Sequence, residues 1–123
     1  MKKIFFLLLL LSGFSFGQEE ILNYAEEEPE FPGGINAMNK FIYDNVEYPM
    51  KSRENKEQGI VYVQFVIMKD GSIDSVKVIR GVSELLDAEA IRVIKKMPKW
   101  KPAEQAGKKV NCLFTIPINF RLR

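Results

Sequence analysis

The chain has 123 residues, 46% hydrophobic and 28% charged, which suits one globular domain rather than a disordered chain. Its formal charge is +2, but with Lys2 and Lys3 set aside as part of a leader, 16 basic residues face 16 acidic ones, which argues against a general nucleic-acid or membrane-surface binder. With no histidine and one cysteine, Cys112, the chain also excludes Ser-His, Cys-His and histidine-ligated metal chemistry, and any internal disulfide.

The opening "MKKIFFLLLLLSGFSFGQ" has the pattern of a secretory signal over residues 1–17: a positive end, an apolar core from Ile4 to Leu11, and small residues Ser15 and Gly17 before a cut at Gln18. Ile4–Phe16 would reach roughly 20 Å as a helix, short of the roughly 30 Å hydrocarbon core; an uncleaved inner-membrane anchor is the alternative. Residues 18–30 are rich in glutamate and read as a solvated acidic linker, followed by a domain over 31–123. The charge stays uneven beyond the leader, with 4 basic and 10 acidic residues in 18–57 against 12 and 6 in 58–123.

In "FPGGINAMNKFIYDNVEYP", Ile35, Met38, Phe41, Ile42 and Val46 recur at helical spacing after a glycine turn. Pro49 ends that helix and starts a second, polar one through Lys56. "GIVYVQFVIMKDGSIDSVKVIRG" reads as a hairpin turning at Asp70-Gly71. The near-continuous apolar run Ile60–Met68 makes its first strand the central one. "LLDAEAIRVIKKMPKWKP" is a helix expected to be capped by Asp87, with Ala90, Ile91, Ile94 and Met97 as its apolar stripe. "AEQAGKKV" reads as a loop, and Trp100 is expected to be buried between the crossover helix and the sheet.

The last strand, Leu113–Leu122, alternates cleanly, yet carries Pro117 at its centre. A helical crossover joins the second and third strands, so these two are expected to be parallel. The expected fold is α+β in two layers: a three-stranded sheet in the order 2-1-3 packed by a crossover helix, with two N-terminal helices. The third strand is then an edge. Proline has no N–H, so Pro117 should face away from the central strand, and Thr115, Asn119 and Arg121 share its parity. Such an edge is either one protected from aggregation or one that captures an extended peptide.

The remaining motifs are weak. "DGSID" spaces Asp70, Ser72 and Asp74 like the start of a calcium loop, but lacks glycine at 75 and glutamate at 81. The lysines around Trp100 read as a solvated fringe rather than a nucleic-acid surface. No enzyme signature, cofactor or metal site is expected.

The ordered set of Tyr48-Pro49, the hairpin, the crossover helix with "MPKWKP", and "FTIPINFRL" resembles the C-terminal domain of TonB energy-transducing proteins, in the form common in Bacteroidetes. "FPGG" ahead of the first helix is similar to that form, and the resemblance spans 31–122. It implies a periplasmic domain that grips the TonB box, a short peptide of TonB-dependent outer-membrane transporters. In the family that peptide pairs with the last strand, with the region of Tyr48 and Pro49 near the contact. Peptide-binding candidates are therefore Thr115, Pro117, Asn119, Arg121, Tyr48 and Pro49. Family energy transducers also carry a membrane anchor that engages an ExbB–ExbD motor, and a long spacer. Here the 13 residues of 18–30 reach about 45 Å when extended, which looks short for crossing a periplasm. The expectation is a soluble periplasmic TonB-like binding module. The alternatives are a complete membrane-anchored energy transducer, and a structural or regulatory domain that forms a homodimer through its edge strand.

Overall fold

The computed structural model describes residues 20–122. The expected leader, 1–17, lies outside the described residues. In chain order the elements are β1 (Ile21–Leu22), α1 (Ile35–Asn45), α2 (Met50–Glu54), β2 (Gly59–Ile67), β3 (Ile73–Arg80), α3 (Glu84–Lys95), β4 (Ala103–Gln105) and β5 (Lys108–Phe120). The fold is α+β, with a mixed sheet in the order β1-β5-β2-β3 and β4 paired to β5. Among the described residues no helix is long and apolar enough to cross a membrane.

The sheet is built around β2, which is antiparallel to both β3 and β5, so those two run parallel to each other. β2 pairs along both of its edges, and its apolar run fills one face of the core, whereas on the other face only Val66 is buried and Ile60 is exposed. Val61, Val63, Phe65 and Ile67 are fully buried on one face, and Val66 is buried on the other. Register shifts at Tyr62/Val63 and Gln64/Val66 on the β3 side increase the local twist and curl the sheet.

The β2–β3 turn is set by Asp70 and Gly71. The Asp70 carboxylate accepts from the Ser72 N–H at 2.9 Å and from its hydroxyl at 2.6 Å, which closes the turn with the side chain's own oxygen. These bonds hold its pKa below the usual aspartate value. Gly71 has φ 90°, and a Cβ there would lie 2.3 Å from the Trp100 carbonyl oxygen. Only glycine lets the turn dock on that backbone, where the Trp100 N–H donates to the Gly71 carbonyl at 2.9 Å.

The α3 cap is Ser83, not Asp87 as expected. The Ser83 hydroxyl accepts from the Leu86 N–H, and the helix begins at Glu84. Asp87 lies in the first turn and reaches back to accept from the Val82 N–H at 2.9 Å, so both residues satisfy donors at the helix start. The earlier start brings Leu86 into the core beside Ala90 and Ile94; Val93 is buried as well, while Ile91 and Met97 are only partly buried. The main core joins Leu86, Ala90 and Ile94 to Val61, Val63 and Phe65 of β2 and to Ile116, Ile118 and Phe120 of β5. Trp100 completes it. It is 4% exposed, with ring centroids 5.6 Å from Phe31, 5.8 Å from Phe65 and 5.0 Å from Phe114.

Two stretches depart from expectation. The acidic stretch is no free linker in its described part: Ile21 and Leu22 pair in parallel with Asn111 and Cys112, and the backbones of Glu27 and Glu30 bridge to Glu104 and Lys101. Its few apolar residues cause this. Ala25 packs with Ala103 and Cys112 in a second small cluster, lined by Leu22 and Val110. "AEQAGKKV" is a hairpin rather than a loop: β4 turns at Ala106-Gly107 into β5, which runs 13 residues. The long strands lie in the order β3-β2-β5, and β1 and β4 enlarge the expected three-stranded sheet.

Candidate functional site

The site is built from the outer edge of β5. The β2–β5 register is continuous from Gly59↔Phe120 to Ile67↔Cys112, and it places Tyr62 opposite Pro117. Pro117 has no N–H to give, so that pair is a non-hydrogen-bonded one. Alternation then makes Ile60↔Asn119 and Gln64↔Thr115 non-hydrogen-bonded too. The N–H groups of Thr115 and Asn119 and the carbonyls of 115, 117 and 119 therefore point away from β2. Side chains at 115, 117, 119 and 121 are exposed, while Ile116, Ile118 and Phe120 fill the core.

On this outer edge β1 pairs only with Asn111 and Cys112. From Leu113 to Phe120 no strand among the described residues pairs with it.

A pocket flanks each end of the open stretch. The first, of about 690 Å³, is lined by Tyr43, Val46, Tyr48, Arg53, Asn119, Phe120 and Arg121. Its wall is held in place from several sides. The Tyr48 hydroxyl donates to the Glu57 carbonyl, and its ring meets Phe120 edge-on at 5.7 Å. The Arg53 guanidinium sits 4.9 Å over the Tyr48 ring, within cation–π range. Gln58 accepts the Leu122 N–H at 3.1 Å and so fixes the chain beyond Arg121. The Glu57 carboxylate is held below the usual glutamate pKa by the hydroxyls of Ser52 and Ser83. That residue thus links the Tyr48 segment to the cap of α3, since the Ser83 hydroxyl donates to it at 2.8 Å.

The second pocket, of about 270 Å³, lies at Thr115. Asn23, Tyr24, Glu28 and Pro29 wall it, over Cys112, Leu113 and Phe114. Burial, with Glu28 nearby, pushes the Cys112 thiol pKa up, so it stays protonated and is a poor nucleophile. Among the described residues no group of three His, Cys, Asp or Glu gathers to hold a metal.

The sequence candidates are therefore distributed. Tyr48, Asn119 and Arg121 meet in the first pocket, Thr115 lines the second, and Pro117 lies between them on the strand. Pro49 lines neither of the two; it caps α2 with φ −60° and an extended ψ. Sequence reasoning missed Tyr43, Val46 and Arg53, and the wall from Asn23 to Pro29. Arg53 lies on the short helix that Pro49 starts, and that was its only sequence signal. The Asn23–Pro29 wall had none beyond the apolar Ile21-Leu22 and Ala25 amid glutamates.

Residues 44–122 match the family model described as the Gram-negative bacterial TonB protein C-terminal. The fold is similar to the solution structure of the Helicobacter pylori TonB-CTD spanning that protein's residues 179–285: TM-score 0.56, 25% identity, 75% of this chain and 87% of that one covered. A shorter form of the same domain, residues 194–285, gives a TM-score of 0.53 at 25% identity, covering 72% of this chain and 92% of that one. No curated protein matches the sequence.

Proposed function

The chain belongs to the Gram-negative bacterial TonB C-terminal family, and from that premise we propose that it is a periplasmic binding domain for TonB-dependent outer-membrane transporters. It captures their TonB box as an added strand on β5, in energy-coupled transport. The observation that carries this reading is the open edge Leu113–Phe120, which is flanked by pockets and interrupted at Pro117. Strand addition gives affinity through backbone hydrogen bonds and selectivity through side-chain pockets, and this edge offers both. The gap at Pro117 discourages an extended ladder through it and still admits a short strand on either side. The leader over 1–17 is part of the same proposal: it delivers the domain, with a mature start at Gln18.

Titration with a TonB-box peptide, followed by amide exchange and chemical shifts, tests the reading. Protection is expected at Thr115 and Asn119, with shifts around Tyr48. Perturbation centred on Ile73–Arg80, with Thr115 and Asn119 unmoved, overturns it.

A further inference from the structure

The segment 20–30 is fastened unevenly. From Glu26 onward it is held firmly. The Glu26 N–H donates to Gln105 Oε1 at 2.8 Å, and the Glu26 carboxylate accepts from the Ala106 N–H at 2.9 Å. Glu27 and Glu30 each exchange two backbone hydrogen bonds, with Glu104 and Lys101 respectively, at 2.8–3.0 Å. Ahead of these bonds, residues 20–24 rest on β5 by two parallel pairs, Ile21↔Asn111 and Leu22↔Cys112. Parallel pairing is the slightly weaker kind. Ile21 is 47% exposed and Tyr24 81%, and the Asn111 side-chain amide reaches the Glu20 carbonyl only at 3.4 Å. Leu22 gives this stretch its apolar anchor, against the small cluster of Ala25, Ala103 and Cys112. Asn111 has the parity of Thr115 and Asn119, so β1 occupies the continuation of the outward row that the open stretch presents. Asn111 is held from within the domain as well: it is buried, and its side-chain carbonyl accepts the Lys69 N–H at 2.7 Å.

We propose that residues 20–24 are a displaceable strap, which competes with an incoming strand for the outward backbone groups of Asn111 and so restrains the domain from within. The inference rests on the strand-addition reading of β5. A strand confined to Leu113–Phe120 binds beside the strap and leaves it in place. One that continues past Leu113 meets the backbone of Ile21 and Leu22 and must lift it, with Tyr24 and Ala25 as the pivot and the bonds of Glu26, Glu27 and Glu30 staying fast. Its apparent affinity is then scaled down by the fraction of molecules whose strap is open. Leu22 sets that fraction, because its packing against the small cluster is the part of the contact that an incoming backbone does not replace.

Two synthetic peptides of alternating Val and Thr, closed by lysines for solubility and about six and about twelve residues long, span the open stretch alone or run past it. The unaltered chain is compared with Leu22→Asn, which removes the apolar anchor, and with Leu22→Cys oxidised onto Cys112, its register partner, which locks the strap. Partners on adjacent strands lie within the Cα separation that a disulfide accepts. The short peptide is expected to bind all three forms alike. The long one should bind Leu22→Asn about tenfold more tightly than the locked form, with the unaltered chain between them. Reducing the disulfide should restore the long peptide's binding. In the unaltered chain both peptides should protect the Thr115 and Asn119 amides, and only the long one should speed exchange of the Leu22 amide. Protection of Val63 and Phe65 shows that each variant is folded. Equal affinity of the long peptide for all forms, with Thr115 and Asn119 protected, overturns the strap and leaves strand addition standing. Absence of protection at Thr115 and Asn119 with either peptide overturns strand addition and the strap with it.

Discussion

Pro117 has consequences that a single substitution exposes. It withholds one N–H from a row that otherwise points outward, and the neighbouring pairs with β2 remain unaffected. Pro117→Thr supplies that N–H and completes the outward row. Stability should fall by less than about 1 kcal/mol, the conformational entropy that proline removes from the unfolded chain. Self-association through the completed edge should rise, visible as a dimer by size-exclusion chromatography with light scattering. A strictly monomeric variant at high concentration would show that Pro117 does not guard the edge. Trp100 is a different case, since its ring meets three other aromatic rings in the core. Trp100→Ala should cost roughly 3–5 kcal/mol by denaturant unfolding. A loss under about 1 kcal/mol would contradict its place in the core.

At the scale of elements, the joint between α1 and α3 rests on one charged cluster. Burial opposes the charge on Glu89, but the Arg92 fork at 2.7 and 2.8 Å and the Glu47 N–H at 2.7 Å outweigh it, so its pKa lies below the usual glutamate value of 4.5. Arg92 also donates to the Asn45 carbonyl at 2.8 Å, joining the end of α1 to α3. A depressed carboxylate pKa means that the folded state holds fewer protons. Its contribution is present above the unfolded value and is lost as pH falls through the folded one. Thermal unfolding should therefore drop on acidification below about pH 4.5. Glu89→Gln should cost roughly 1 kcal/mol at neutral pH, a modest figure because Arg92 is open to water, and should flatten that acid slope; an unchanged slope refutes the assignment. The long elements were legible because each carries its own period: the apolar run of β2, the alternation of β5, the helical spacing of α1. The α3 cap was misread because Ser83 and Asp87 both suit a helix start, and only the helix's actual first turn separates them. β1 and β4 were missed because pairs of two and three residues are fixed by partners distant in sequence, not by local pattern. The candidate site was half legible for the same reason: parity along β5 exposes Thr115 and Asn119, whereas Arg53 comes to the pocket of Asn119 only through the packing of Tyr48 on Phe120.

The whole molecule divides into a large core and a small satellite, and the two should not share one stability. Phe31, Val61, Phe65, Leu86 and Ile118 belong to the first, while Ala25, Ala103 and Cys112 form the second. Native-state amide exchange is expected to show Leu22 and its β5 partners opening by a local route, and Val63 and Phe65 only with global unfolding. A common exchange free energy for both groups would refute the division. The β1 contact also has a mechanical meaning. A pull applied at the amino-terminal end of the described chain would meet a ladder of two residue pairs, then the two backbone bridges at Glu27 and Glu30, and only afterwards the core at Phe31. The weak ladder yields before the core carries load, paying out roughly 35 Å of extended chain up to Phe31. Loss of β1 would extend the unpaired outer edge of β5 back through Cys112 to Asn111, so the length of that edge depends on whether two residue pairs hold.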